Sequence, residues 1–195
     1  PVQWLLDSVP VDARWTLVHA THLDEEEVRD IAGSGATVAI CTTTEANLGD
    51  GLFPLRDFLD AGGRWGVGSD SNSSVDPVEE LRWLEYGQRL RAQRRNIASS
   101  MRVPSVGATL LDGVHASAAD STGFAAEDRI VLDADAAILA GATEADVVDR
   151  WLFSGNRPLV RDVEINGVRV VEDGRHRDRD AIATRFRAAA RTLLG

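Results

Sequence analysis

The chain has 195 residues, 44% of them hydrophobic, which is enough for one well-packed core or slightly more. Its net charge of −10 argues against nucleic acid or an anionic membrane surface as a partner. A single cysteine, Cys41, excludes an internal disulfide framework and favours a reducing, cytoplasmic location. Because the chain begins with Pro1 and its first residues already have the spacing of a helix interior, we expect a C-terminal piece of a longer protein.

The first part of the chain alternates between strand and helix patterns. Three apolar strands are predicted at Trp15–His19, Ala36–Cys41 and Arg64–Gly68, with helices between them at Glu25–Ala32 and Pro54–Ala61. The middle strand is continuously apolar, which is typical of a strand buried on both faces. Alternation of this kind predicts a parallel sheet with right-handed crossovers, as in part of an α/β barrel.

The pattern changes after about residue 120. Up to that point two more helices are predicted, and beyond it the alternation is that of a small β-rich unit closed by a helix. We therefore predict two domains, 1–120 with the last βα units of a barrel and 121–195 with the β-rich part. The predicted elements are helices at Pro77–Arg95 and Val106–Ala119, a strand at Arg129–Asp133, a helix at Glu144–Phe153, a hairpin at Val160–Val171 with a type I′ turn at Asn166-Gly167, and a helix at Ala181–Leu194.

Polar side chains follow each of the three predicted parallel strands. Since the carboxyl ends of parallel strands meet at one edge of a sheet, these side chains should converge on one mouth, where barrel enzymes carry their chemistry. They are His19 and His22 after the first strand, Thr44, Glu45 and Asn47 in a predicted polar loop (Thr42–Gly51) after the second, and Asp70 after the third.

Each of these residues also has a structural interpretation. His19 could orient a water, polarise a carbonyl-like group or bind metal, or it could be a core histidine bonded to backbone. Asp70 could carry chemistry or cap the turn that follows it, and Glu45 and Asn47 could be turn formers. Cys41 is a possible nucleophile, but with no basic residue beside it an inert buried thiol is favoured.

The remaining polar candidates are less specific. Arg82, Arg89 and Arg91 lie on one predicted helix and could clamp an anionic substrate, although arginines on exposed helices are usually only solvated. His115 and His176 are predicted to be surface or packing residues.

Several segments carry a resemblance to a known family. LVHATHLDEEEV, CTTTEANLGDG, GVGSDSN and EELRWLEYGQRLRAQRRN resemble the amidohydrolase superfamily, and within it the formimidoylglutamate deiminases. The TEANLGDG and EELRWLEYGQRLR blocks are the specific part. The resemblance continues through RIVLDADAAILAG and VRDVEINGVRVVEDGRH, so that it covers nearly the whole chain.

The resemblance implies the C-terminal part of a metal-dependent (β/α)8 barrel followed by part of a small β-rich domain. It implies one divalent metal, usually zinc, for which Asp70 matches a ligand that also accepts the proton of the attacking water. His19 matches the family's catalytic histidine, and Thr44, Glu45 and Asn47 are assigned to substrate contact. The family's other metal ligands, an HxH pair and a further histidine, have no counterpart in these residues.

The implied reaction is hydrolysis of N-formimidoyl-L-glutamate, a small anionic substrate, to N-formyl-L-glutamate and ammonia. Two alternatives stay open. One is another deaminase of the superfamily, acting on guanine, a triazine or an adenosine derivative. The other is a non-catalytic half that serves folding or oligomerisation. Three strands of a barrel would leave an open edge, which we expect at Thr16–His19, and the chain by itself is therefore expected to self-associate.

Overall fold

The structure, a computed structural model, describes residues 1–124 and 128–195 and divides into two compact units. The elements of the first unit are α1 (Val2–Ser8), β1 (Thr16–Val18), α2 (Glu25–Ser34), β2 (Thr37–Ile40), α3 (Thr42–Leu48), α4 (Leu55–Asp60), β3 (Arg64–Val67), α5 (Pro77–Ala92), α6 (Val106–Thr122) and α7 (Val147–Phe153). Those of the second unit are β4 (Arg129–Leu132), the 3-10 turn Ala137–Leu139, β5 (Val160–Ile165), β6 (Val168–Glu172), β7 (Arg175–His176) and α8 (Arg179–Leu194). None of the helices among the described residues is long and apolar enough to cross a membrane.

The first unit is built on a parallel sheet in the order β1-β2-β3, which confirms the predicted strand–helix alternation. Its central strand is the best protected, since Val38 and Ile40 are fully buried, as the continuous apolar run predicted. Within the described residues β1 and β3 are the two outer strands of this sheet, and Val18 of β1 is exposed.

Close packing of α6 fixes one outer strand. The indole ring of Trp65 on β3 is almost completely buried, and a Cβ built on Gly113 of α6 would lie 2.5 Å from that ring. Only a residue without a side chain lets the helix backbone approach the indole this closely, so Gly113 sets the distance between helix and sheet. The start of the preceding helix α5 is as predicted, with Pro77 in its first turn and the Asp76 carboxylate accepting the Val78 N–H at 2.9 Å.

The predicted polar loop at Thr42–Gly51 is wrong in its first part, because Thr42–Leu48 forms α3. Gly49 ends this helix in the left-handed conformation, with φ of 75°. Its beginning is held from a distant part of the chain: Glu80 of α5 is buried and accepts hydrogen bonds from the backbone N–H of Thr43 at 3.0 Å and from the Thr43 hydroxyl. A carboxylate bonded to an N-terminal amide of a helix is a stabilising cap.

The second unit is an antiparallel sheet in the order β4-β5-β6-β7. The predicted hairpin is confirmed: Ile165 pairs with Val168 across a two-residue turn, and Asn166 and Gly167 both have positive φ, as a type I′ turn requires. The predicted closing helix is present as α8, but none of its residues is buried.

The two units and the predicted domains differ in two segments, since the first unit runs past residue 120 to include the end of α6 and also takes in a later helix. Helix α7 packs against α5 and α6, so that Ala142–Gly155 belongs to the first unit, whereas a single boundary at residue 120 leaves it in the second. One anchor of this segment is Asp149, whose carboxylate accepts the Gly107 N–H at 2.7 Å. Residues 125–127 of the predicted second domain lie outside the described residues.

Candidate active site

The carboxyl ends of the three parallel strands carry the candidate site. His19 follows β1 directly, and its backbone N–H donates to the Ala39 carbonyl of β2 at 2.8 Å. At the end of β3, the Gly68 N–H donates to the Ile40 carbonyl at 3.0 Å, and Asp70 lies two residues further on. Ladder hydrogen bonds to the buried central strand therefore hold the backbone on both sides of the site.

The structure brings His19 and Asp70 together. The distance from His19 Nε2 to Asp70 Oδ2 is 3.7 Å, and both side chains are about one third exposed, at 37% and 34%. A separation of 3.7 Å is longer than a hydrogen bond, so the two groups do not satisfy one another and can both reach a third atom. Cys41 lies beside them, since one ligand atom each from His19, Cys41 and Asp70 fall within 4.8 Å of one another.

Both residues have a backbone conformation that side chains other than glycine seldom adopt. The φ angle is +68° at His19, +50° at Ala20 and +52° at Asp70. The Ala20 N–H donates to the Val18 carbonyl at 3.0 Å, which makes His19 the central residue of a three-residue turn. A positive φ at that position is the rare, strained form of such a turn. Strain of this kind is maintained by the surrounding structure and is concentrated at functional sites.

Glu45 faces the other nitrogen of the His19 ring. Its side chain is 2% exposed, and Oε1 lies 3.4 Å from His19 Nδ1 while it accepts the Cys41 N–H at 2.9 Å. Burial is the largest influence on this carboxyl and raises its pKa, whereas the bonds from Cys41 and His19 act in the opposite direction. Glu45 is thus buried on the Nδ1 side of the His19 ring, whereas Asp70 lies on the Nε2 side and is partly exposed.

The other two residues assigned to substrate contact have different surroundings. Thr44 is buried, and its hydroxyl donates to the Ser69 carbonyl at 3.2 Å, which ties α3 to the segment that carries Asp70. Asn47, one turn further along α3, is exposed and does not join the group around His19. Neither is brought to the pair of His19 and Asp70 in the way that Glu45 is.

Cys41 has the character of an inert buried thiol. Burial raises its pKa to about 11, and the negative charges of Glu45, Asp70 and Glu80 add to the shift. Almost no thiolate is present at neutral pH, and a thiolate is the form that attacks electrophiles. The interpretation favoured from the sequence, a small buried side chain, agrees with this environment.

Two of the arginines considered for an anion clamp are occupied by structural contacts. Arg82 donates from Nε to the Leu152 carbonyl at 2.7 Å. Arg89 donates to the Glu85 carboxylate at 2.7 Å and lies over the rings of Tyr86 and Phe153. These contacts fasten α5 to α7 and to its own helix, so both guanidinium groups serve packing.

The other three histidines have surroundings different from those of His19. His22 and His115 are exposed. His176, in the second unit, accepts the Asp178 N–H through Nδ1 at 3.1 Å. The approach of Glu45 to His19 was not predicted from the sequence, although a Thr-x-x-Glu pattern at Thr42–Glu45 followed by Gly49 is a helix signature that could have indicated α3.

Comparison with known proteins identifies the class. The model of the amidohydrolase family matches residues 5–105, and the chain therefore belongs to the amidohydrolase family. The crystal structure of an amidohydrolase from Brucella melitensis superposes with a TM-score of 0.93 and 42% identity over 100% of this chain and 44% of that one. The first unit corresponds to part of the (β/α)8 barrel of these enzymes, as the sequence predicted.

Two of the proteins similar to this chain are named enzymes. The chain is 48% identical over 194 residues to the formimidoylglutamate deiminase of Pseudomonas aeruginosa, covering 95% of this chain and 43% of the relative. It is 30% identical over 183 residues to a 5-methylthioadenosine/S-adenosylhomocysteine deaminase of Natronomonas pharaonis, covering 88% of this chain and 40% of the relative. The chain thus spans less than half the length of each of these relatives.

Proposed function

We propose that this chain is part of an enzyme that hydrolyses N-formimidoyl-L-glutamate to N-formyl-L-glutamate and ammonia, a step of histidine degradation. The observation that carries the proposal is the approach of His19 Nε2 to Asp70 Oδ2, 3.7 Å apart at the carboxyl end of a parallel sheet. The 48% identity to the Pseudomonas aeruginosa formimidoylglutamate deiminase supports this substrate over others.

The donor groups present fit a divalent metal, and we propose zinc. The Asp70 carboxylate and the His19 imidazole, with Oδ2 and Nε2 3.7 Å apart, offer an oxygen and a nitrogen donor of the types that zinc prefers. We assign Asp70 as the ligand, with further ligands supplied by residues outside these 195. A bound divalent metal lowers the pKa of a water molecule to about 7, so that a nucleophile is available at neutral pH.

The residues of this chain then have separate tasks. The Asp70 carboxylate accepts a proton from the attacking water, and His19 Nε2 forms a hydrogen bond to that water and orients it. The water oxygen bonds to the formimidoyl carbon, and both protons of the water pass to the terminal imino nitrogen, the first of them by way of Asp70. The bond from the carbon to that nitrogen then breaks, and the nitrogen leaves as ammonia. The carbon keeps the oxygen as a formyl group, and the atoms balance with one water consumed.

The substrate carries two carboxylates, while the chain is acidic overall. Local cations must therefore bind it, and the bonds of Arg82 and Arg89 to protein groups argue that other arginines do so. We propose cytoplasmic location from the single buried thiol, Cys41. The outer position of β1 and β3 in the sheet supports a further proposal, that the chain by itself self-associates through strand edges.

The test is a substrate panel with the complete protein that contains these residues. Ammonia release is measured with N-formimidoyl-L-glutamate, S-adenosylhomocysteine, guanine and a triazine, before and after chelation of metal. We expect turnover of the first substrate only and its loss on chelation. Preferential turnover of S-adenosylhomocysteine would instead support the function of the Natronomonas pharaonis relative. No turnover of any of the four would favour a non-catalytic role in folding or oligomerisation.

A further inference from the structure

We propose that Glu45 is the positioning residue for His19: its buried carboxylate accepts the Nδ1–H of the ring and leaves Nε2 as the acceptor that faces Asp70 and the attacking water. This inference rests on the proposed function. It replaces the assignment of Glu45 to substrate contact.

The hydrogen-bonding groups determine the direction of this bond. Glu45 Oε1 already accepts the Cys41 N–H at 2.9 Å, so this oxygen serves as a hydrogen-bond acceptor. At 3.4 Å from the same oxygen, His19 Nδ1 is satisfied only as a donor. A neutral imidazole with its proton on Nδ1 has a free electron pair on Nε2, the nitrogen 3.7 Å from Asp70 Oδ2. The ring therefore presents an acceptor where the mechanism needs one.

The orientation of the ring is fixed together with its tautomer. Glu45 lies on α3, and its carboxylate is bound to the backbone N–H of Cys41 at the end of β2. His19 is held to the same strand by its own N–H, at 2.8 Å from the Ala39 carbonyl. The His19 backbone is thus bonded to β2, and the carboxylate that contacts its ring is bonded to the residue directly after β2. These contacts restrict rotation of the imidazole ring. Buried partners that orient a reacting imidazole typically change rates by about 10–100-fold when they are replaced.

Glu80 provides a matched control. Like Glu45, it is a buried carboxylate with 2% exposure that accepts a backbone N–H near the start of α3, and its described hydrogen bonds go to Thr43 rather than to a histidine. Glu45→Gln and Glu80→Gln remove the same charge from similar surroundings. A general effect of burial or helix capping would appear in both variants, whereas an effect on His19 would appear in the first.

The experiment measures kinetics and ring tautomer in the complete, metal-loaded protein. For Glu45→Gln we expect kcat to fall about 10–100-fold with KM within about twofold; for Glu80→Gln we expect kcat close to that of the parent and a lower melting temperature. Long-range proton–nitrogen NMR spectra of histidine-labelled protein should show the Nδ1–H tautomer for His19, identified by its absence in His19→Asn. In Glu45→Gln that signature should weaken.

Each outcome decides the proposal. A raised KM with unchanged kcat would return Glu45 to substrate contact, and an equal loss of kcat in both glutamine variants would make its role purely structural. An Nε2–H tautomer in the parent would overturn the proposal even if Glu45→Gln does not fold. The NMR measurement needs no substrate: the expected tautomer without deiminase activity would contradict the proposed function and leave the positioning intact.

Discussion

Left-handed backbone occurs at non-glycine residues in both units, but the local context differs. In the second unit Asn166 and Asp173, with φ of 49° and 48°, each precede a glycine in a tight turn that joins two antiparallel strands. Asn and Asp tolerate this region because their short polar side chains bond locally. These tight turns require a positive φ, and Asn and Asp are residue types that adopt it.

In the first unit the same conformation occurs where a parallel strand ends. His19, Ala20 and Asp70 have φ between 50° and 68°, and alanine in particular gains nothing from it. Among the other described residues of this unit, Gln93 is the left-handed C-cap of α5, and Asn96, also left-handed, lies in the segment beyond it. We therefore expect the left-handed backbone at the strand ends to position the His19 and Asp70 side chains, and the substitutions below test this.

The largest effect is expected for Asp70→Asn in the complete protein. Asn occupies the left-handed region as readily as Asp, so the fold should be kept while the charge that holds a cation and accepts a proton is lost. We expect kcat/KM to fall by at least about 1,000-fold and bound metal to drop well below one equivalent. Elemental analysis measures the bound metal, ammonia release measures kcat/KM, and circular dichroism measures whether the fold is kept. Full metal occupancy with normal turnover would contradict the role of Asp70.

His19→Asn should have the next largest effect and a different signature. Asn again suits the positive φ of 68°, so the substitution removes the imidazole without forcing the backbone to change. We expect metal content close to that of the parent and kcat lower by about 100- to 10,000-fold, the usual contribution of a positioned acid–base group. If this variant loses metal while Asp70→Asn retains it, the two roles are reversed.

Local patterns were sufficient to predict most of the elements. The apolar run Ala36–Cys41 predicted β2 within one residue at each end, because a strand buried on both faces needs no alternation. The hairpin followed from Asn166-Gly167 and the alternating apolar residues on either side of it. His19 and Asp70 were proposed from their positions at strand ends, since parallel strands bring those ends together whatever the helices between them do.

Helix α3 has only a weak local signature, and the surroundings of Glu45 have none. The three threonines that open this helix are β-branched and favour other structures. What stabilises its first turn is the Glu80 carboxylate, which is far away in sequence. Only once the helix exists does Glu45 turn back toward Cys41 and His19. A contact that depends on two distant segments leaves no local pattern to detect.

Gly167→Ala tests the turns of the second unit. A Cβ at this position would meet nothing within 4 Å, so the cost is that of the positive φ of 74° alone, about 1–2 kcal/mol of unfolding free energy. We expect this loss in chemical denaturation and unchanged kcat and KM. Gly167→Asn is the control and should lose less, because Asn tolerates the left-handed region. A stability equal to that of the parent in Gly167→Ala would mean that the turn does not require its glycine.

The smallest effect is expected for Ala20→Gly, which is the most direct test of the comparison. Glycine removes the penalty at φ of +50° but adds backbone freedom to the unfolded chain, so stability should change by less than about 1 kcal/mol. Freedom gained next to His19 should also loosen the three-residue turn that orients the ring, and we expect kcat to fall a few-fold with KM unchanged. Asp173→Gly makes the same kind of change at φ of 48° in the second unit, where its N–H still donates to Asp162, and should leave kcat unaltered. If Ala20→Gly also leaves kcat unaltered, the left-handed backbone at the strand end is a feature of chain reversal there, as it is in the hairpin turns, and the orientation of His19 depends on Glu45 alone.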